Sequence, residues 1–254
     1  MTGVSKIVLF KQAAIWRVLL VLLCLFTASS GNAQESFDPE AWLRRAEQRL
    51  SKVESYVAVF HKQERIRGNL TKEETVLFKF KKPFKAYMKW IREPYRGRES
   101  LYVEGCNNNL IKVHECGFLG LELDLDPRGS LVMKGSRHPI TDSGIENVVN
   151  LIGRELKKGI RKGEISIRMN GEETIYGRDT RQMEIVFSGS SARGYYCYRA
   201  VINIDAENEL PIRVQIFDWD NRLVENYGYE AVALNAGLTD ADFDPRNPAY
   251  GFRK

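Results

Sequence analysis

Three histidines, His61, His114 and His138, are the only side chains in this sequence whose ordinary pKa lies near neutrality, so proton-transfer chemistry at neutral pH would first be sought at them. His138 stands in the run Arg137-His138-Pro139-Ile140-Thr141, where it could serve as a base acting on Thr141 or Ser143, as a hydrolase would require. The plainer role for Arg137 and His138 is to bond loop carbonyls, because buried polar groups need partners. His114-Glu115-Cys116 offers metal-ligand residue types, but adjacent strand residues point to opposite faces, so these do not converge and no metal is expected. His61 falls on the polar alternation of its segment, opposite to Phe60, which predicts exposure. Glu64 and Glu99 would make a carboxylate pair, yet nothing in their spacing brings them together. The nucleophile elbow G-x-S-x-G, the zinc motif H-E-x-x-H, the phosphate loop and the dinucleotide fingerprint are all missing. The expectation is a non-enzymatic protein without a cofactor.

The elements that would position these residues are mostly strands. Between residues 164 and 232, apolar side chains recur at every second position. Ile165, Ile167 and Met169 are followed by Met183, Ile185 and Phe187, then by Tyr196, Tyr198, Ala200, Ile202 and Ile204, then by Ile212, Val214 and Ile216. Period-two alternation describes an antiparallel sheet with one dry and one wet face. Further strands are predicted over residues 55–66, 76–81, 86–92, 98–105 and 110–115, with turns at Gly68-Asn69, at Asn107 to Asn109 and at Asn170-Gly171. The segment 117–135 is less regular. Helices are predicted over 36–53, with Asp38 as cap and Pro39 in the first turn, and over 142–161, with an apolar stripe through Ile145, Val149, Ile152 and Leu156. The tail from 238 to 252 carries Phe243, Tyr250 and Phe252 and is expected to dock over the sheet. The fold class is therefore mainly β (α+β): about ten antiparallel strands in one domain over 34–254, with an N-terminal helix and an inserted mid-chain helix as cover.

Residues 1–33 read as a cleavable signal peptide. Lys6, Lys11 and Arg17 precede the apolar run from Val18 to Phe26, and a small, polar stretch ends at Ala33. Nine helical residues span about 14 Å, too short for a bilayer core. Leu23 precedes Cys24, where a lipoprotein cut would need a small residue. Removing the leader takes three of the 38 basic residues and none of the 33 acidic ones, leaving a net charge of about +2 with the two signs interleaved. No nucleic-acid footprint results. Of the four cysteines, Cys106, Cys116 and Cys197 lie beyond the leader. The Asn-rich turn would hold Cys106 and Cys116 too far apart to bond, leaving Cys197 to pair with either or neither. A periplasmic monomer is expected.

Aromatic residues are the stronger clue to function. Phe78, Phe80, Tyr87, Trp90, Tyr102 and Phe187 fall within strand segments, and Met88 lies among them. A closed sheet would use them as core filling, whereas an open, curved sheet would use them to line an apolar cleft.

Several segments in order resemble a bacterial family of exported proteins of unknown function related to outer-membrane lipoprotein sorting. They are Tyr56 to Gly68 (YVAVFHKQERIRG), Pro83 to Trp90 (PFKAYMKW), Gly97 to Gly105 (GRESLYVEG), Arg137 to Thr141 (RHPIT) and Leu238 to Phe252 (LTDADFDPRNPAYGF). The family is similar to the superfamily of LolA, LolB and RseB. That resemblance implies a curved half-barrel with helices as a lid over an apolar cavity. The function expected of such a cavity is the carrying or sensing of acyl chains, of a free lipid or an acylated lipoprotein, with a membrane-associated protein as a further partner. By alternation, Val76, Phe78, Phe80, Met88 and Trp90 would line the N-terminal half of the cavity. Ile185, Phe187, Tyr198, Ile202, Val214 and Ile216 would line the C-terminal half, with Arg137 and His138 as a candidate loop site. The alternatives are an envelope stress sensor or scaffold using polar-face residues such as Lys79, Lys81 and Arg213, and a hydrolase around His138.

Overall fold

The computed structural model describes residues 37–116, 120–188 and 193–252, so the predicted leader lies outside the described residues. Contacts divide the chain into 1–38 and 39–254, and the second unit carries the fold. Its strands are β1 (Ser55–Ile66), β2 (Asn69–Leu70), β3 (Glu74–Lys81), β4 (Lys85–Trp90), β5 (Glu99–Val103) and β6 (Ile111–His114), then β7 (Glu122–Leu125), β8 (Ile165–Ile175), β9 (Arg178–Phe187), β10 (Arg199–Asp205), β11 (Pro211–Phe217) and β12 (Leu223–Leu234). They form one 12-stranded sheet ordered β7-β6-β5-β4-β3-β1-β12-β11-β10-β9-β8, with the short β2 paired to β1 off this path. All its pairings are antiparallel, and it stays open, with β7 and β8 as its edges. The count exceeds the predicted ten by the two-residue β2 and by the four-residue β7, which lies in the less regular segment 117–135.

Alternation sets the faces as the sequence predicts along β3, where Val76, Phe78 and Phe80 are buried and Leu77, Lys79 and Lys81 only partly so. Two local signals resolve differently. Asn170-Gly171 is no hairpin turn: β8 runs through it with a bulge between Met169 and Gly171 and pairs with β9 as far as Ile175. The turn is made by Tyr176 and Gly177, both at positive φ, the conformation a tight two-residue hairpin needs. A glycine at φ +106 serves a bulge as well as a turn, so Gly171 alone could not decide. His61 also departs from expectation. The β8–β9 hairpin tip folds against the outer face, stacking Tyr176 on His61 with ring centroids 4.9 Å apart. His61 Nε2 lies 2.8 Å from Glu230 and Nδ1 3.2 Å from Glu73, so the ring is partnered rather than free in solvent.

Helix α1 (Pro39–Ser51) buries Trp42, Leu43, Ala46 and Leu50, and Trp42 Nε1 donates to Glu209 O at 3.0 Å. A single turn, α2 (Ser130–Met133), precedes the inserted helix α3 (Ile145–Lys162). Gly163 ends α3 in the left-handed conformation, its N–H reaching back to Gly159 and Ile160. At the other end, Gly144 at φ +104 occupies the cap position, and Ile145 N–H donates to Tyr56 Oη at 3.0 Å. A Cβ on Gly144 would stand 2.9 Å from that hydroxyl, so the close approach of helix to sheet requires glycine. Tyr56 thus ties the helix start directly to the central strand.

The tail docks on the outer face, as the sequence suggests. Phe243 and Phe252 close a cluster with Tyr87 and Leu101, and Tyr250 stacks on Tyr87 at 4.0 Å. Lys79 bonds Asp242 and Tyr250, while Lys81 and Lys85 both reach Asp240. Lys79 and Lys81, considered above as partner-docking groups, are therefore engaged by the chain's own tail.

Candidate functional site

The inner face of the sheet borders two cavities, one beneath α3 and one beneath the segment 131–143. The first has a volume of about 410 Å³. Its floor is Ile185 and Phe187 of β9, Ile202 of β10, and Val214 and Ile216 of β11. The register explains why these converge: Ala200 pairs with both Ile185 and Ile216, so the same side of three strands faces the helix. Leu151, Ile152 and Glu155 of α3 form the roof.

The second cavity, about 530 Å³, lies over β3 to β7. Val76, Met88, Ile111, Val113 and Leu125 give it apolar walls. Its rim is more polar: Trp90 Nε1 donates to Glu74 at 2.6 Å, and the Arg98 guanidinium lies 4.1 Å from the Tyr95 ring centre while pairing with Glu115 at 2.8 Å. Leu131 on this wall is 70 % exposed, which leaves an apolar residue at the opening.

Between the two stands a charged partition. Glu64 of β1 pairs directly with Glu225 of β12, and both side chains are almost fully buried on the inner face. Like charges placed opposite one another in a sheet repel, so both need strong partners. The loop 136–143 and the neighbouring strands supply them. Arg137 donates its backbone N–H to Glu64 at 2.9 Å and its Nε to Glu225. His138 Nε2 lies 3.1 Å from Glu225. The Tyr196 hydroxyl stands 2.6 and 2.8 Å from the two Glu225 oxygens, Tyr227 donates to Glu64, and Lys62 Nζ lies 3.4 Å from Glu64. Burial works against ionising Glu225, but the hydrogen bond and charge of His138, with Tyr196 and Arg137, hold its carboxyl below the ordinary glutamate value. Burial would likewise lower His138, yet the bond and charge of Glu225 raise it. Burial and the Glu225 charge push both tyrosine phenols upward, so they remain donors.

The eleven residues that alternation assigns to a cavity divide by place. Val76, Met88 and Trp90 line the larger cavity, and Ile185, Phe187, Ile202, Val214 and Ile216 the smaller. Phe78 and Phe80 instead pack around Tyr56 at 5.7 and 5.2 Å, and Tyr198 lies against Trp219 at 5.7 Å. Arg137 and His138, on the loop 136–143, form part of the partition. Thr141 and Ser143 do not bond His138: their hydroxyls donate to Asp142 and to Ile140 O. Glu64 faces Glu225, not Glu99, which sits on the outer face with Lys89 at 2.9 Å and the Gly251 N–H at 3.0 Å. Glu225 and Tyr227 escaped the sequence reading, although both share the parity of the buried Tyr229. Cys106, Cys116 and Cys197 are all free, and Cys197 is buried beside the smaller cavity.

A family model described as a protein of unknown function, DUF1571, matches residues 53–252. The chain belongs to the DUF1571 family. The matched span takes in every strand, the partition and the docked tail. No curated protein matches the sequence. Among solved structures, the lipoprotein LppX of Mycobacterium tuberculosis is similar at 13 % identity and a TM-score of 0.47, over 82 % of this chain and 100 % of that one. MucB is similar at 11 % identity and 0.46, over 81 % of this chain and 62 % of that one. A LolA superfamily protein from Nitrosomonas europaea is similar at 11 % and 0.34, over 82 % and 98 %.

Proposed function

We propose that this DUF1571 protein is a non-enzymatic periplasmic protein that holds acyl chains, of a lipid or an acylated lipoprotein, beneath α3. The observation that carries this reading is the smaller cavity, where five aliphatic and aromatic side chains from three strands face Leu151 and Ile152 across about 410 Å³. Both cavities fall within the range of roughly 300–1,000 Å³ common for small-molecule sites. Burial of an acyl chain there contributes about 0.8 kcal/mol per methylene, so affinity would rise steeply with chain length. The leader pattern of residues 1–33 supports export.

Release then requires α3 to move away from the sheet, and the Tyr56–Ile145 bond makes the helix start the firm end of that motion. Native mass spectrometry of the protein purified from its own cells, with solvent extraction of whatever it carries, tests the proposal. A bound mass of lipid or acyl-peptide size is expected. An empty protein that also refuses added fatty acid would refute it.

A further inference from the structure

We infer that the two cavities are one site for a diacylglyceryl group, with one chain on each side of the partition and the polar junction of the chains at His138. This deepens the acyl-chain proposal and rests on it. The walls of the two cavities have only His138, Asp142, Val148 and Tyr227 in common, so a single layer of side chains separates them. Either volume suits one chain-sized apolar ligand.

The chemistry of the shared wall selects the ligand's shape. Buried polar groups lose free energy against hydrocarbon unless they are bonded. One long chain threaded across the partition would lie against His138 and the buried Glu225 while offering them nothing. A ligand with its polar atoms in the middle and apolar branches on both sides matches the pattern apolar, charged, apolar. His138 provides the contact. Its Nε2 is occupied by Glu225 and Tyr196, whereas Nδ1 makes no hydrogen bond among the described residues. In the imidazolium form Nδ1–H is a donor, and an ester carbonyl at the glyceryl junction is a suitable acceptor. A phospholipid and a lipid-modified peptide both present this group.

The test uses the full chain, delipidated, with palmitate and dipalmitoyl phosphatidylglycerol as probes in native mass spectrometry. Wild type should take two palmitates or one phospholipid. Leu151→Trp fills the smaller cavity and Leu125→Trp the larger, each at a partly exposed position that tolerates a larger side chain. Each should reduce palmitate from two to one and weaken phospholipid binding at least tenfold. Circular dichroism melts and the remaining palmitate show that each variant is folded. Phospholipid binding at wild-type strength in either folded variant would overturn the inference, as would a wild type that takes palmitate but no phospholipid. A wild type that takes neither probe overturns the acyl-chain proposal itself. Extraction from the native protein then separates the sources: a phospholipid mass or a diacylglyceryl-peptide mass supports the inference, and single-chain lipid alone contradicts it.

Discussion

Glu64 and Glu225 face each other across the β1–β12 ladder, each only 1 % exposed, at the point where the two cavities meet. The loop that carries Arg137 and His138 gives both of them partners, alongside Tyr196, Tyr227 and Lys62 from the strands and their flanks. Arg137→Ala removes one donor from Glu225 while His138 and Tyr196 remain. It should destabilise the fold by about 1–3 kcal/mol, less than the loss of a sole partner would cost. Urea denaturation of the variant checks this.

The same cluster makes stability depend on pH. Burial would lower His138, but Glu225 raises it above its ordinary 6.5, so its contribution is complete below that value and fades as pH climbs through the raised one. Glu225 is opposite in sense. Held below 4.5 against its burial, its contribution is present above that value and is lost as pH falls through the lowered one. Between these limits the cluster is strongest, with Glu64, Lys62, Arg137 and Asp142 as the other charges nearby. In His138→Gln the alkaline decline of the urea midpoint should disappear while the acid decline remains.

Gly144→Ala should destabilise by more than about 1 kcal/mol, because φ is positive and the new Cβ meets the Tyr56 hydroxyl. Tyr56→Phe leaves the Ile145 N–H buried without its acceptor and should cost about 1–2 kcal/mol. Faster hydrogen exchange confined to the first turn of α3 would show that the loss is local.

Cys197 is 4 % exposed, and burial, with the charges of Glu225 and Glu155, pushes its thiol up to about 12. It should resist alkylation in the folded protein while the exposed Cys106 and Cys116 react. Mass spectrometry after brief iodoacetamide treatment should find those two modified in buffer and Cys197 modified as well in urea.

The outer strap offers a separate check. Tyr250→Ala removes the stack on Tyr87 and the bonds to Lys79 and Asp242 O. Stacked aromatic pairs contribute roughly 0.5–1.5 kcal/mol beyond their buried area. Limited proteolysis should cut the variant near residue 245 well before wild type, with acyl binding on the inner face unchanged.

Parity made much of the inner face legible. Val76 and Met88, or Ile185 and Ile202, needed only the two-residue period to fall on the same side. The partition was not legible in that way, because Glu225 looks locally like any acid in a strand and Glu64 lies far away in sequence. One signal was available: Glu64 continues the dry series Tyr56, Ala58 and Phe60, and a charge with dry parity calls for a buried partner. Tyr198 misled for the converse reason, since β10 begins only at Arg199 and strand parity does not extend into the irregular segment before it. His61 misled because the partner that covers it arrives from a hairpin more than a hundred residues away.

The most direct measurement is a titration of the delipidated full chain with a fluorescent fatty acid, for wild type and Val214→Asp. Val214 lies on the floor of the smaller cavity, directly across the β11–β12 ladder from Tyr227. Saturable uptake by wild type is expected, with at least tenfold weaker binding at that cavity in a variant that still melts cooperatively. A folded wild type that takes up no fatty acid would contradict the account.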